Sequence, residues 1–171
     1  MKYDLGCGYK AQDGFVRVDH DARTVPDICH NLEVFPWPIP DESAEEIRMI
    51  HVLEHLCPLP EDYKRLWQEM YRICVPAAKI HIEVPHWRHN NFHHDPTHVR
   101  AITPVTLAMM DQTRNGRDIA NHGGETPLGL QWEVDFELVG VGYANDQTTG
   151  EPMCCMYELV ARKPCPVTAK G

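Results

Sequence analysis

The sequence predicts an α/β fold built on a doubly wound sheet of about seven mostly parallel strands, and three observations lead to this prediction. A short apolar run at residues 2–5 enters the Gly-x-Gly turn Gly6-Cys7-Gly8. A second apolar run at residues 15–18 ends on the carboxylate of Asp19. Further along the chain, strand-like apolar runs alternate with an amphipathic helical pattern, which is typical of α/β proteins.

In the first half of the chain, the spacing of the apolar runs leaves little room for helices. Only nine residues, 6–14, join the first two strands. A parallel crossover with a full helix takes about a dozen or more residues, so the first helix is predicted to be reduced to a turn. Residues 25–29 and 44–50 are predicted as the third and fourth strands. The prolines of 35–40 exclude a helix or a central strand. The aromatic side chains of this stiff loop therefore either wall a ligand or cover the edge of the core.

The second half begins with a helix, predicted over residues 61–74 from apolar side chains at helical spacing, acidic residues in the first turn and Arg72 near the end. Residues 79–84 alternate as a strand. A second short helix is predicted over 104–110, with Thr103 as its N-cap. The remaining predicted elements are an irregular loop at 86–103, a polar surface excursion or lid at 111–129, and two strands at 132–141 and 153–161.

The Gly-x-Gly turn and the first acidic strand end together indicate a pocket for an adenosine-containing cofactor. Glycines in a turn let the backbone approach a ligand closely, because they carry no Cβ atom. A carboxylate at the end of the next parallel strand can accept both hydroxyl protons of a ribose. The residues predicted to contact this cofactor are Leu5, Gly6, Cys7, Gly8, Asp19 and His20.

Composition narrows the classes of partner. The 171 residues include 25 acidic and 16 basic side chains, giving a net charge of −9, which argues against a broad grip on nucleic-acid phosphates. No apolar stretch approaches the ~20 residues of a membrane span. The seven cysteines are odd in number and include the adjacent pair Cys154-Cys155, which favours reduced thiols and a cytoplasmic location. We expect one domain over 1–163 and a flexible tail over 164–171.

Five segments, taken in this order, resemble the class I S-adenosylmethionine-dependent methyltransferases, and most closely the small methyltransferase type 11-like group. The resemblance spans about residues 2–104. It departs from the group's usual Lys-Pro-Gly-Gly at Val75-Pro76-Ala77-Ala78. It implies a Rossmann-like seven-stranded sheet with one antiparallel strand near its end. The segments are Asp4-Leu5-Gly6-Cys7-Gly8, Val18-Asp19, the loop 35–43, His51-Val52-Leu53-Glu54-His55, and residues 75–84.

The resemblance also implies S-adenosyl-L-methionine as the cofactor and assigns three further residues to it. Asn31 and Leu32 are expected beside the adenine, where the amide can accept from the exocyclic amine and the leucine can pack on the ring. His51 is expected to border the transferred methyl group. The alternatives are that Asn31 forms a turn at a strand end and that His51 caps the following helix.

Methyl transfer from a sulfonium is an in-line displacement with an activated electrophile and a neutral leaving group. The protein chiefly aligns the acceptor and, where needed, removes its proton. Histidine suits the second task because its ordinary pKa is near neutral. The candidates for a catalytic base are His51, His86, Asp95 and His98, the last three on the loop that leaves the fifth strand.

The eleven histidines also raise the question of a metal ion. His93, His94, Asp95 and His98 lie within six residues, and His51 and His55 have i, i+4 spacing, which places two side chains on one face of a helix. However, no local run matches a standard zinc signature. The sequence therefore predicts no metal ligand.

The predicted function is methyl transfer from S-adenosylmethionine to an oxygen, nitrogen or carbon atom of an unidentified acceptor, more in keeping with a small molecule than with nucleic acid. Residues 86–103 and 111–129 are expected to form the substrate wall, and a homo-oligomer with a second subunit completing this wall is left open. Two alternatives stand beside this prediction. One is a non-catalytic cofactor-binding or regulatory module, and the other is a metal-dependent enzyme that uses the loop His86–His98.

Overall fold

The computed structural model describes residues 1–10 and 12–164 and contains one seven-stranded sheet. The predicted tail, apart from Pro164, lies outside the described residues. The strand order is β3-β2-β1-β4-β5-β7-β6, and only β7 runs antiparallel to its neighbours β5 and β6. The strands are β1 Lys2–Leu5, β2 Val16–Asp19, β3 Ile28–Cys29, β4 Ala44–Ile50, β5 Cys74–Pro85, β6 Phe136–Asn145 and β7 Pro152–Ala161. The predicted doubly wound sheet with one antiparallel strand is confirmed.

Five α-helices and two short 3₁₀-helices accompany these strands among the described residues. The 3₁₀-helices span Ala22–Thr24 and Leu53–His55. The α-helices are α1 Pro60–Ile73, α2 Asn90–His94, α3 Pro104–Ala108, α4 Gln112–Ala120 and α5 Leu128–Trp132. As predicted, none of the described residues between β1 and β2 is helical, and the Thr103 side chain caps α3 by accepting from Thr106 N.

The amphipathic helix α1 forms much of the core on one face of the sheet. Its apolar stripe is fully buried at Leu66, Trp67 and Met70. The Trp67 ring contacts the ring of Phe136 on β6 edge-on, with centroids 5.3 Å apart. This contact joins residues 69 positions apart and packs the helix against the edge strand of the sheet.

Several segments differ from their sequence-based prediction. The strand predicted over 132–141 lies at Phe136–Asn145, β3 is confined to Ile28–Cys29 within the predicted 25–29, and the predicted irregular loop 86–103 contains helix α2. Strand β5 begins directly at the end of α1, whereas the sequence predicted a strand only from residue 79. Ala77 adopts φ 63°, and the register with β4 shifts in this region, so an irregular extended segment takes the place of a loop.

Residues 111–129 are largely helical and do not form a lid over the glycine turn. Helix α5 packs beside α1, where the Trp132 ring lies 6.0 Å from that of Tyr63 and the Trp132 carbonyl accepts from Gln68 Nε2. The polar, glycine-rich sequence did not predict these short helices. Their stability comes from packing, which a search for apolar periodicity does not detect. Among the described residues, no helix combines the length and apolar character that crossing a bilayer requires.

Candidate functional site

The glycine turn lies at the centre of the sheet, where the strand order reverses between β1 and β4. Ligands of open α/β sheets bind outside the carboxyl ends of the strands at this switch point. Two cavities meet there. One, of about 340 Å³, lies over the ends of β2 and β3, and the other, of about 370 Å³, lies between the glycine turn and β4. Both are lined by Gly6 and His51, so these two residues mark the boundary between the cavities.

The glycine turn has a conformation that only glycine adopts without strain. Gly6 has φ 73° and Gly8 has φ 52°. A Cβ atom on Gly6 would lie 2.6 Å from Cγ2 of Val52, so the chain itself fills that side. A Cβ atom on Gly8 would meet nothing within 4 Å in the described residues, so open space faces the turn there. The second glycine therefore leaves room beside the backbone for a ligand.

Asp19 fastens the turn and still has acceptor capacity. Its carboxylate is buried and accepts hydrogen bonds from Gly8 N and Asp21 N, both at 2.9 Å. An ionised carboxylate has about four lone-pair sites, so two remain for a ligand. Its neighbour His20 is largely exposed and lies 3.4 Å away through Nδ1. Both residues line the smaller cavity.

Cys7, between the two glycines, lines the larger cavity, and its side chain is buried. Burial, and then the nearby Asp19 carboxylate, raise the pKa of Cys7. Leu5 is fully buried in β1. Both side chains therefore pack on the core side of the turn.

Asn31 and Leu32, which the resemblance assigns to the adenine, both line the wall of the smaller cavity. Leu32 is buried and offers an apolar surface, and Val52 and Leu56 add to it. Asn31 also fulfils the alternative role, since its Oδ1 accepts from Glu33 N at 2.9 Å and forms a turn. Its amide NH₂ group makes no side-chain hydrogen bond to the other described residues, which leaves it as a donor for a ligand.

His51 follows β4 with φ 54°, an unusual conformation for a residue that is not glycine. Its Nδ1 lies 3.5 Å from Oε1 of Glu54, and its Nε2 lies 3.5 Å from Oε1 of Glu83. The Glu54 carboxylate raises the pKa of His51, burial opposes this effect, and Glu83 reinforces it. The ring therefore lies between two carboxylates at the point where the cavities meet.

The other three candidate bases do not gather around His51. His86 stacks on Trp87 and lines a separate cavity beside the β6–β7 turn. Burial lowers the pKa of His86, and Arg88 adds to the effect. The Asp95 side chain is bound by Thr97, whose hydrogen bonds lower the pKa of that carboxyl. His98 contacts His55 edge-on, with ring centroids 4.6 Å apart, and His55 lines the smaller cavity.

Sequence reasoning gave no role to several residues that the structure places at the cavities. Asp4 is buried at the larger cavity and accepts from Arg48 Nη1 at 2.9 Å and from Gln12 N at 3.1 Å. A carboxylate inside an apolar strand just before the glycines was the available signal for Asp4. Arg48 and His30 gave no such signal, because their positions depend on strand pairing and on the chain's return to the cavity.

Comparison with known proteins identifies relatives by structure only. No protein-family model matches the sequence, and no curated protein matches it. Solved structures of similar fold include a SAM-dependent methyltransferase from Archaeoglobus fulgidus, with a TM-score of 0.57 and 18% identity over 93% of this chain and 85% of that chain. The N-methyltransferase NodS from Bradyrhizobium japonicum has a TM-score of 0.57 and 9% identity over 95% and 85% of the two chains.

A third similar structure contains ligands. The 1,6-didemethyltoxoflavin-N1-methyltransferase of Burkholderia thailandensis, with bound 1,6-didemethyltoxoflavin and S-adenosylhomocysteine, has a TM-score of 0.57. It shares 11% identity over 95% of this chain and 71% of that chain. The chain therefore has the fold of S-adenosylmethionine-dependent methyltransferases, and the fold implied by the sequence resemblance is confirmed.

Proposed function

We propose that the protein binds S-adenosylmethionine at the glycine turn and transfers its methyl group to an oxygen, nitrogen or carbon atom of a small molecule. The observation that carries this proposal is the Asp19 carboxylate, buried at the end of β2 with lone pairs left over, in one cavity with Gly6 and Leu32. The volume of about 340 Å³ lies within the range of small-molecule and cofactor sites.

The residues at hand fit this cofactor. Asp19 would accept from the ribose hydroxyls, and Leu32 with Leu56 would pack against the adenine. Asn31 would donate to a ring nitrogen through its NH₂ group, rather than accept from the exocyclic amine. The open space beside Gly8 and the Asp4–Arg48 pair in the larger cavity would receive the amino-acid part, which carries both an ammonium and a carboxylate group.

When bound, S-adenosylmethionine supplies an electrophilic methyl group on a sulfonium sulfur. The chain's own part is to align the acceptor in line with that sulfur and to exclude water. His51 is the side chain at the junction of the cavities, and we propose that it borders the transfer. His86, Asp95 and His98 line neither of these two cavities, so the proposal gives the transfer no second base from that loop. The chain has 25 acidic and 16 basic side chains, and this negative balance favours a small acceptor over a polyanion. The proposal also includes a cytoplasmic location.

Replacing Asp19 with asparagine is expected to weaken binding of S-adenosylhomocysteine by about 10- to 100-fold, since a hydrogen bond to a charged group contributes about 1.5–3 kcal/mol. Asparagine keeps one acceptor oxygen, so the bond from Gly8 N can persist. The measurement is isothermal titration calorimetry on both variants. Asp27→Asn is the matched control, because the Asp27 carboxylate pairs with Arg17 of β2 and lines neither cavity. Equal affinities in the wild type and the Asp19 variant would remove the proposal.

Catalysis is separated from mere binding by a transfer assay. Methyl-labelled S-adenosylmethionine is incubated with the protein and the small-molecule fraction of an extract from the host cell. We expect label to enter that fraction, and to do so less in Asp19→Asn. Tight cofactor binding without any transfer would instead indicate a non-catalytic binding or regulatory module.

A further inference from the structure

Beside the cofactor cavity, three side chains from distant parts of the chain form a compact cluster. Glu54 and His55 belong to the 3₁₀-helix after β4, and His98 belongs to the loop after β5. One ligand atom from each residue lies within 4.8 Å of the other two. The sequence placed His55 and His98 in two separate groups, the pair with His51 and the run His93–His98, and it gave Glu54 no ligand role.

Main-chain hydrogen bonds hold the two segments of the cluster together. The Glu54 carbonyl accepts from Val99 N at 2.8 Å and from Arg100 N at 3.3 Å. Arg100 Nη2 donates to the Cys57 carbonyl at 2.7 Å. The residues directly after His98 are therefore held against the 3₁₀-helix and Cys57, and these bonds, in addition to the ring contact, bring His55 and His98 together.

Glu54 is the unusual member of the cluster. Its side chain is 1% exposed, and neither carboxylate oxygen accepts a hydrogen bond from the described residues. The nearby His51 Nδ1 lies 3.5 Å from Oε1, beyond the usual range for an N–H···O hydrogen bond. Burying a carboxylate carries a large desolvation cost unless a partner compensates it. A cation within the cluster would provide that compensation.

The hydrogen bonds of the two histidines leave each ring one free lone pair. His98 donates through Nδ1 to the Phe92 carbonyl at 2.7 Å. His55 contacts the Thr97 hydroxyl through Nδ1 at 2.9 Å, and that hydroxyl donates its own proton to Asp95 Oδ1 at 2.6 Å. These partners assign the proton of each ring to Nδ1 and the lone pair to Nε2. Metal-binding histidines are oriented in this way, by a hydrogen bond from the nitrogen that does not bind.

We propose that Glu54, His55 and His98 bind one divalent cation of the zinc, cobalt or iron(II) class. Two imidazoles and a carboxylate suit these metals, whereas calcium and magnesium prefer oxygen ligands alone. Asp95 Oδ2 lies 3.9 Å from His98 Nε2, close enough to offer a further ligand atom. The site departs from the sequence prediction of no metal ligand, and it does not depend on the proposed methyl transfer.

A second cluster competes for the same role. His51, Glu83 and Cys154 also place ligand atoms within 4.8 Å of one another. The Glu83 side chain is 28% exposed, so solvent can compensate its carboxylate, whereas that of Glu54 is buried. A thiol ligand would give bound cobalt a sulfur-to-metal charge-transfer band, so the two clusters are distinguishable by spectroscopy.

The test uses the full chain without a histidine tag, freed of metal by dialysis against a chelator. Cobalt(II) is added while the visible and near-ultraviolet spectra are recorded, and zinc is then titrated by calorimetry. We expect one cobalt ion per chain, without a sulfur charge-transfer band, displaced by one zinc ion. His55→Ala and His98→Ala should lose this binding, whereas His94→Ala, on an exposed neighbour in the same loop, should keep it.

Thr97→Val keeps the experiment decisive if a ligand variant fails to fold, because Thr97 is exposed. Losing the hydroxyl that orients His55 should weaken metal binding by about 10- to 100-fold, as for other orienting groups. Three results would overturn the proposal: no binding of cobalt or zinc by the wild type, unchanged affinity in Thr97→Val and His98→Ala, or a sulfur charge-transfer band that disappears in Cys154→Ala.

Discussion

Replacing Gly6 with alanine is expected to lower the free energy of unfolding through two effects. The backbone at φ 73° is strained for any side chain, which costs about 1–3 kcal/mol. In addition, the new Cβ atom would lie 2.6 Å from Cγ2 of Val52, and such overpacking costs about another 1–3 kcal/mol. Urea denaturation followed by circular dichroism measures the sum. The cofactor cavity should also lose affinity for S-adenosylhomocysteine, because Gly6 borders both halves of the site.

Gly14→Ala is the matched control for this substitution. Gly14 has φ 82°, but a Cβ atom there would meet nothing within 4 Å in the described residues. Its alanine variant should therefore show the backbone strain without the close contact. In the double variant Gly6→Ala/Val52→Ala, removal of the two Val52 methyl groups should recover part of the contact term. Equal losses in the Gly6 and Gly14 variants would show that the close approach to Val52 does not exist.

Replacing Arg48 with methionine is expected to destabilise the fold by about 3–5 kcal/mol, the usual effect of removing one partner of a buried ion pair. Asp4 is 1% exposed and accepts from Arg48 Nη1 at 2.9 Å. Without that guanidinium, the main-chain bond from Gln12 N is the one hydrogen bond that the buried carboxylate still accepts from the described residues. Methionine keeps the length of the side chain, so the measured loss reports mainly on the charge. The measurement is the denaturation midpoint at an unchanged slope.

Arg17→Met, on the neighbouring strand β2, provides the comparison. Arg17 pairs with Asp27 at 3.0 Å on the surface of β2, and exposed ion pairs contribute little because solvent screens them. We expect a much smaller loss of stability there. Asp4→Asn combined with Arg48→Met should recover much of the loss at the buried pair, since no uncompensated charge remains. If the two arginine variants lose the same stability, Asp4 is not the buried ionic centre of the glycine turn.

The fold could be predicted from the sequence where local pattern and chain length were decisive. The apolar run at 44–50 matches β4 at both ends, and nine residues between the first two strands were too few for a helix. The predictions missed the elements whose stability comes from packing. Helix α5 is held by aromatic contacts to α1, and β5 extends past Pro76 because Ala77 accepts an unusual φ.

The candidate site also contains residues that could be recognised from the sequence and residues that could not. The glycines, Asp19, Asn31 and Leu32 were recognisable because each follows a strand directly, and the ends of parallel strands converge. The contact between His55 and His98 was not recognisable from the sequence, because it depends on the long loop after β5 returning to the end of β4. For the loop aromatic Trp37, the sequence allows either a wall of the ligand site or a cover for the edge of the core. It is buried and donates through Nε1 to the Leu32 carbonyl at 2.9 Å, so it covers the edge of the core.

A crystal structure of the protein grown with saturating S-adenosylhomocysteine tests the central proposal most directly. We predict electron density for the adenosyl group in the cavity over β2 and β3, with both ribose hydroxyls on the Asp19 carboxylate and the adenine against Leu32. The sulfur should lie near His51, and the amino-acid part should lie beside Gly8. Density for the nucleoside elsewhere, or a cavity that stays free of the compound at saturation, would contradict the proposed function.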